Sequence, residues 1–302
     1  MEIVMEHATK YIRKAAVLTD ISCHLYGGRV YGLQGVNGCG KTMLLRLMAG
    51  LIRPTTGSVV LNGKELGKAM DFPPSLGLLL ENPAFLPYCT GLQNLIYLSQ
   101  LKGNVGTVQL RQVLADVGLS ADDKRSFKKY SLGMKQRLGI GLALVGEPDL
   151  LVLDEPINGL DPQGIAEVRD TIQRLRDERN MTILISSHIL EELSKIATDY
   201  GIIHNGSLLQ ELTSEELMKR CSERIEIELI HPEQAVPILD RMGFTNYQVT
   251  DKSHIHIFER LNESANVNME LAKAGILVNG ISITSEELET YFLNLTGGNQ
   301  NA

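Results

Sequence analysis

No stretch of this chain is long and apolar enough to cross a bilayer. Its longest uncharged apolar run, LGIGLALVG at 138–146, falls far short of the roughly 20 residues a spanning helix needs. Cysteine is scarce: Cys23, Cys39, Cys89 and Cys221 are scattered without a CxxC pair or metal-ligand spacing. The N-terminus reads without a secretory signal, so these four are expected as reduced thiols in a cytosolic protein. Positive charge is in deficit, 29 lysines and arginines against 36 aspartates and glutamates, a net −7. Broad electrostatic binding to DNA or RNA needs a basic surface, and this balance argues against it. Internal repeats and low-complexity segments are missing as well. What remains is an ordinary globular composition over 302 residues, enough for one large domain or a large and a small one.

Apolar runs broken by glycine turns, such as YGLQG and GSVVLNG, make residues 1–62 strand-rich. From about 91 to 146 apolar residues recur at three- and four-residue spacing, the pattern of helices. DLLVLDE and MTILISSH are short continuous apolar runs, as in strands buried on both faces of a parallel sheet, and the amphipathic helix GIAEVRDTIQRLRDER separates them. Strands alternating with helices predict an α/β fold. The texture shifts near residue 221: RIEIELI reads as a strand, PEQAVPILDRMG as a helix and NYQVTDKSHIHIFER as a hairpin. The helix ANVNMELAKAGI and the strand GISIT follow, with a last helix in SEELETYFLNL. That βαββαβ order predicts a small α+β, ferredoxin-like accessory domain at 222–302 after a first domain at 1–215.

GVNGCGKT, Gly35 to Thr42, matches G-x-x-x-x-G-K-[ST] between a strand-like YGLQ and a helical MLLRLMAG. Gly35, Asn37, Gly38, Cys39 and Gly40 are expected to curl the backbone so that its N–H groups face phosphate oxygens, with the helix N-terminus at Met43 adding positive potential. Lys41 would neutralise the β and γ phosphates and the Thr42 hydroxyl would ligate Mg²⁺. Cys39 sits where positive potential lowers a thiol pKa, but a small space-filling residue is the preferred reading. Asp154 and Glu155 end the strand in DLLVLDE, and ligands gather at the carboxyl ends of parallel strands. Alone, two acids at a strand end read as a solvated turn. Downstream of a phosphate loop, Asp154 would hold Mg²⁺ and Glu155 would orient and deprotonate the attacking water. His188 ends ILISSH at the same edge, within reach of a γ-phosphate.

SLGMKQ at 131–136 runs straight into a helix, and its Ser131 and Gly133 suit an anion. The loop at 35–42 already serves this chain's own nucleotide, so the second anion pocket is expected to complete the site of another subunit. With these motifs the chain resembles the ATP-binding cassette (ABC) family of transporter ATPases over roughly residues 3–215. The resemblance makes 35–42 the Walker A loop, SLGMKQ the signature, LLVLDE the Walker B strand, NGLD at 158–161 the D-loop and His188 the switch histidine. It also puts Asp161 among the nucleotide-contacting residues and stacks Tyr11 on adenine. It implies a P-loop NTPase of ABC type, a RecA-like core plus a helical subdomain at about 91–146. Two such chains, identical or paralogous, would sandwich ATP head to tail.

Glu81 ends the strand in GLLLENPAF, where most of the family carries glutamine. A carboxylate there has two anionic oxygens for a metal, so Glu81 is expected to join the Mg²⁺ site and the catalytic group, and to couple them to a partner-facing loop. The bacitracin- and lantibiotic-resistance type of export ATPase, whose membrane subunit is a separate polypeptide, has such a glutamate and the SLGMKQ form. Phe85, Leu86 and Tyr88 are then expected either to be exposed against that permease or to close the local core, with the protein peripheral on the cytoplasmic face of the membrane. The alternative, a soluble ABC ATPase acting on ribosomes or nucleic acid, is disfavoured by the negative charge, the absence of long coiled-coil heptads and the single copy of each motif. A small P-loop kinase or GTPase has no use for SLGMKQ and NGLD. His254 and His256 in HIHIF share a strand face, but two histidines lacking a third ligand read as a polar face rather than a metal site.

Overall fold

The continuous apolar runs become the centre of a parallel sheet because they are covered on both faces. The computed structural model describes residues 1–80, 84–103, 105–285 and 288–296, so Glu81 lies outside the described residues. The chain divides into two compact units, Met1–Ser214 and Glu215–Ala302. In the first, β3 (Val30–Gln34), β6 (Leu76–Leu79), β7 (Leu150–Leu153), β8 (Thr182–Ser187) and β9 (Asp199–His204) run parallel, and β10 (Ser207–Thr213) pairs antiparallel with β9. The order is β10-β9-β3-β8-β7-β6. Every residue of β3, β7 and β8 is buried.

A second, antiparallel sheet, in the order β2-β1-β4-β5, is built from β1 (Glu2–Ile12), β2 (Ala15–Tyr26), β4 (Thr56–Leu61) and β5 (Lys64–Glu65). Between the sheets, α1 (Lys41–Met48) buries Leu44, Leu45 and Leu47 completely, in one core with Ile3, Leu18, Val152 and Leu184. Each such leucine contributes about 1.5–3 kcal/mol. That packing fixes the start of α1, and with it the loop that precedes it.

The helical segment holds α2 (Gly91–Ser99), α3 (Thr107–Asp116) and α4 (Leu132–Leu144). Thr90 and Gln93 form a reciprocal capping box at the start of α2. Buried Asn94 of α2 organises the loop before it, accepting from the Leu86 N–H at 2.7 Å and donating to the Leu86, Cys89 and Thr90 carbonyls. That loop divides between the two expectations. Phe85 is only 8% exposed and packs on Phe127 at 4.9 Å between ring centroids, while Leu86 and Tyr88 are exposed, Tyr88 at 80%. Phe85 closes the local core against Phe127. Next, α5 (Pro162–Arg179) starts on an Asp161 cap with proline in its first turn and ends at Asn180, whose φ is 50°. The short α6 (Leu190–Ser194) follows β8.

α7 (Ser214–Cys221) stands at the division between the units. The second unit continues with β11 (Arg224–Leu229), α8 (Val236–Arg241), β12 (Tyr247–Val249), β13 (His254–Ile257), α9 (Ser264–Lys273), β14 (Val278–Thr284) and α10 (Leu288–Thr296). Its antiparallel sheet has the order β12-β13-β11-β14, the ferredoxin-like arrangement. Alternate residues Ile225, Ile227 and Leu229 enter a core with Ile255, Ile257, Leu239 and Phe244. Among the described residues no helix is long and apolar enough to cross a membrane.

Candidate functional site

Three parallel neighbours deliver the site. Register pairs Gln34 with Ser187 and Leu153 with Ile185, so the residues following β3, β7 and β8 leave the sheet at one edge. From β3 the chain turns through 35–40 into α1. Gly35 is forced by close approach: a Cβ there would lie 2.4 Å from Cys39 Sγ and 2.5 Å from the Ile203 carbonyl. Gly40, the N-cap of α1, has φ 115°, a conformation closed to other L-residues. A glycine cap brings no side chain to occupy the first-turn amides, which stay available to an anion.

Lys41, 6% exposed, donates to the Gly35 carbonyl at 2.7 Å and the Val36 carbonyl at 3.2 Å. Its ammonium lies 3.1 Å from Glu155 Oε1, an ion pair without hydrogen-bond alignment, since that oxygen has no donor among the described residues. The Thr42 hydroxyl donates to Asp154 Oδ2 at 2.5 Å. His188 Nδ1 donates to Glu155 Oε2 at 2.8 Å. Gln34 is 2% exposed and its Nε2 donates to the His188 carbonyl at 3.2 Å, tying the histidine segment to β3. Burial pushes the Cys39 thiol pKa up, against the pull of Lys41, so this cysteine fills space rather than reacting.

Asn37, Gly38, Cys39, Gly40, Lys41, Thr42, Met43 and Glu155 line a cavity of about 510 Å³. Ala16, Val17, Asn205 and Gly206 complete its wall and were not expected there. Asn-Gly is a hairpin-turn signal, and it does turn β9 into β10, but nothing in one dimension tells that the Gly206 N–H bonds the Cys39 carbonyl at 2.9 Å. Tyr11 is not on the cavity wall; it is half-exposed and stands in register with Ala16, which is.

Ser131, Gly133 and Asp161 do not line this cavity. Ser131 caps α4, accepting from the Met134 N–H at 3.2 Å, and Asp161 caps α5, accepting from the Gly164 N–H at 3.1 Å. At Gly133 the two helices nearly touch: an added Cβ would sit 3.3 Å from the Gly164 Cα. Ser186, passed over in the sequence, is fully buried between the two acids of the β7 end, its hydroxyl donating to Asp154 Oδ1 at 2.5 Å and accepting from the Glu155 N–H at 2.9 Å.

Thr42 and Asp154 offer hard oxygen donors already within 2.5 Å of each other, a set that suits Mg²⁺. Among the described residues no three His, Cys, Asp or Glu side chains gather to hold a metal unaided. A metal here would therefore draw further ligands from substrate and water, as Mg²⁺ commonly does.

A profile of the family described as ABC transporter matches residues 18–158. The bacitracin transport ATP-binding protein BcrA of Enterococcus faecalis is 39% identical over 302 residues, 99% of this chain and 98% of its own. The lantibiotic transport ATP-binding protein SrtF of Streptococcus pyogenes is 38% identical over 207 residues, 68% of this chain and 89% of its own. Among solved structures, the dimeric form of the bacterial ABC transporter cassette MJ0796 superposes with a TM-score of 0.62 at 18% identity, covering 70% of this chain and 98% of that one. At that identity the likeness establishes the fold.

Proposed function

The chain belongs to the ATP-binding proteins of ABC transporters, and from that premise we propose that it energises an exporter of peptide antibiotics of the bacitracin or lantibiotic kind. It works as one half of a head-to-tail pair beneath a separate membrane subunit, at the cytoplasmic face. The observation that carries this reading is the joining of Lys41, Thr42, Asp154, Glu155 and His188, through Ser186, in one contact network, within a chain matched end to end by a bacitracin transport protein.

ATP is the substrate. The loop amides and Lys41 bind its phosphates, and charge neutralisation there favours the transition state of phosphoryl transfer. Thr42 and Asp154 would hold Mg²⁺, which when bound neutralises charge on the phosphates. Glu155 orients a water for attack on the γ-phosphorus and takes its proton as the bond to the ADP oxygen breaks. His188 steadies the Glu155 carboxylate and would meet the γ-phosphate as it is transferred to water. Ser131 and Gly133, outside this chain's own cavity, cap the γ-phosphate bound by the partner, and hydrolysis reopens the pair.

Glu155→Gln tests the reading. It keeps the shape of the side chain but removes the base, so turnover is expected to vanish and ATP to trap a dimer on a sizing column. Solubilised from native membranes with ATP, that trapped form should bring down a polytopic membrane protein in near-stoichiometric yield. A variant that still hydrolyses ATP, or that captures only ribosomes or nucleic acid, would sink the proposal.

A further inference from the structure

Ser186 and Ser187 sit side by side at the end of β8, both fully buried, and do different things. The Ser187 hydroxyl closes its own turn, accepting from the Ile189 N–H at 3.0 Å. The Ser186 hydroxyl reaches across to the neighbouring strand. Because Leu153 pairs with Ile185, the next step along both strands sets Asp154 beside Ser186. One hydroxyl then spends its single proton on Asp154 Oδ1 at 2.5 Å and takes the Glu155 N–H at 2.9 Å.

The second of these bonds falls on unusual backbone. Glu155 has φ 48°, in the left-handed region that non-glycine residues seldom occupy. Such a conformation persists where the surroundings over-determine it. Ser186 supplies that constraint on the amide side, while Lys41 and His188 meet the carboxylate on the other. Thr42 holds the remaining Asp154 oxygen. Both acids are thus pinned from β8, the strand that also leads into His188.

We propose that Ser186 is a positioning residue for ATP hydrolysis: its hydroxyl locks the left-handed turn at Glu155 and the Asp154 carboxylate in one geometry, and so aims the base. The inference rests on the assignment of Glu155 as that base. Without the hydroxyl, the Glu155 peptide relaxes toward extended conformations and its carboxylate leaves His188. The phosphate loop keeps bonds of its own, because Lys41 is still held by the Gly35 and Val36 carbonyls and Thr42 still meets the second Asp154 oxygen. Catalysis should therefore suffer while ATP binding does not.

The test is steady-state ATPase of the full chain with Ser186→Ala, Ser186→Cys and Ser186→Thr beside Glu155→Gln, together with thermal midpoints and affinity for a fluorescent ATP analogue. For Ser186→Ala, kcat is expected to fall at least tenfold, which is about 1.4 kcal/mol, with KM and analogue affinity within twofold of wild type. Thr, which keeps the hydroxyl, should restore most of the rate, and Cys, a weak donor, should lie between. If the extra methyl of Thr unfolds the protein, the order Ser above Cys above Ala decides. Equal kcat in Ser186→Ala and wild type overturns the proposal. So does a joint fall of kcat, affinity and thermal midpoint in Ser186→Ala, since that is the mark of a serine that only fills the core. A Glu155→Gln protein that still turns over removes the base assignment and, with it, the positioning role. An inactive Glu155→Gln protein beside an unimpaired Ser186→Ala removes the positioning role alone.

Discussion

Gly133 has two competing explanations, and a single methyl group separates them. It lies in the first turn of α4, and a Cβ there would come 3.3 Å from the Gly164 Cα in α5. Packing alone accounts for a glycine, and so does a phosphate of the partner approaching the backbone. For Gly133→Ala, α4 and α5 must separate by a few tenths of an ångström, and overpacking of that kind costs about 1–3 kcal/mol. Its backbone is ordinary helix, so the loss of unfolded-state freedom returns about 0.4–1 kcal/mol. The balance then runs from about zero to about 2.6 kcal/mol of destabilisation, a fall of up to roughly 10 °C in the midpoint of a unit this size. Withdrawing one preorganised donor from a developing anion costs about 10²–10³ in rate. Turnover should thus drop about a hundredfold in a protein that stays folded. Gly141→Ala in the same helix is the control: its Cβ would meet Val113 and Val117 methyls at 3.4 Å, an ordinary contact, so turnover should hold. ATPase and thermal unfolding on both variants decide. A Gly133→Ala protein with more than half of wild-type turnover would mean that this glycine serves only the α4–α5 contact, and the role given to the signature helix would fall with it.

Arg137 of α4 is 8% exposed and donates to the Val117 and Gly118 carbonyls, at 3.2 and 2.8 Å, just past α3, while Glu167 of α5 lies 2.8 Å away. Glu167 is partly exposed, so its share of the pair is small; losing the carbonyl partners in Arg137→Met should still cost about 2–3 kcal/mol, read as a lower urea midpoint at unchanged slope, and equal midpoints would refute it. In the second unit, the hydrogen bond that His254 donates to Asp251 raises the His254 pKa above its ordinary 6.5, and the Ser253 amide, with His254, lowers Asp251 to about 2. A raised histidine stabilises fully below its unfolded value and loses that contribution as pH rises through the folded one; an NMR titration should place the His254 midpoint above 6.5 and Asp251→Asn should bring it down, and no movement would exclude the pairing.

The fold was legible wherever one physical demand constrained many residues at once. Strands buried on both faces must be apolar throughout, and DLLVLDE and MTILISSH read as such because β7 and β8 are covered on both sides. A phosphate loop needs glycine at a positive φ and under close backbone contact, so Gly35 and Gly40 stand out in one dimension. The βαββαβ run of the second unit was equally open to reading, since its strands alternate and its helices are short and amphipathic. Phe85 was not. It lies in an irregular loop without period, and it is buried against Phe127, a distant ring that nothing in one dimension pairs with it.

The deeper limit concerns the acid pair. Asp154 and Glu155 can be picked out at a strand end, but the direction in which Glu155 points depends on its φ of 48° and on a hydroxyl 31 residues away. That separation records only how long the intervening helix and its connections are. The register of β7 against β8, with Leu153 beside Ile185, brings Ser186 to the acids. A shift by one residue would turn that serine to the opposite face of the sheet. Polar groups at the strand ends also mark this register. The Ser186–Asp154 and Ser186–Glu155 bonds do that here. The contacts that aim the base thus also mark the alignment of the two strands, which is why changing Ser186 reports on catalysis only when stability is measured beside it.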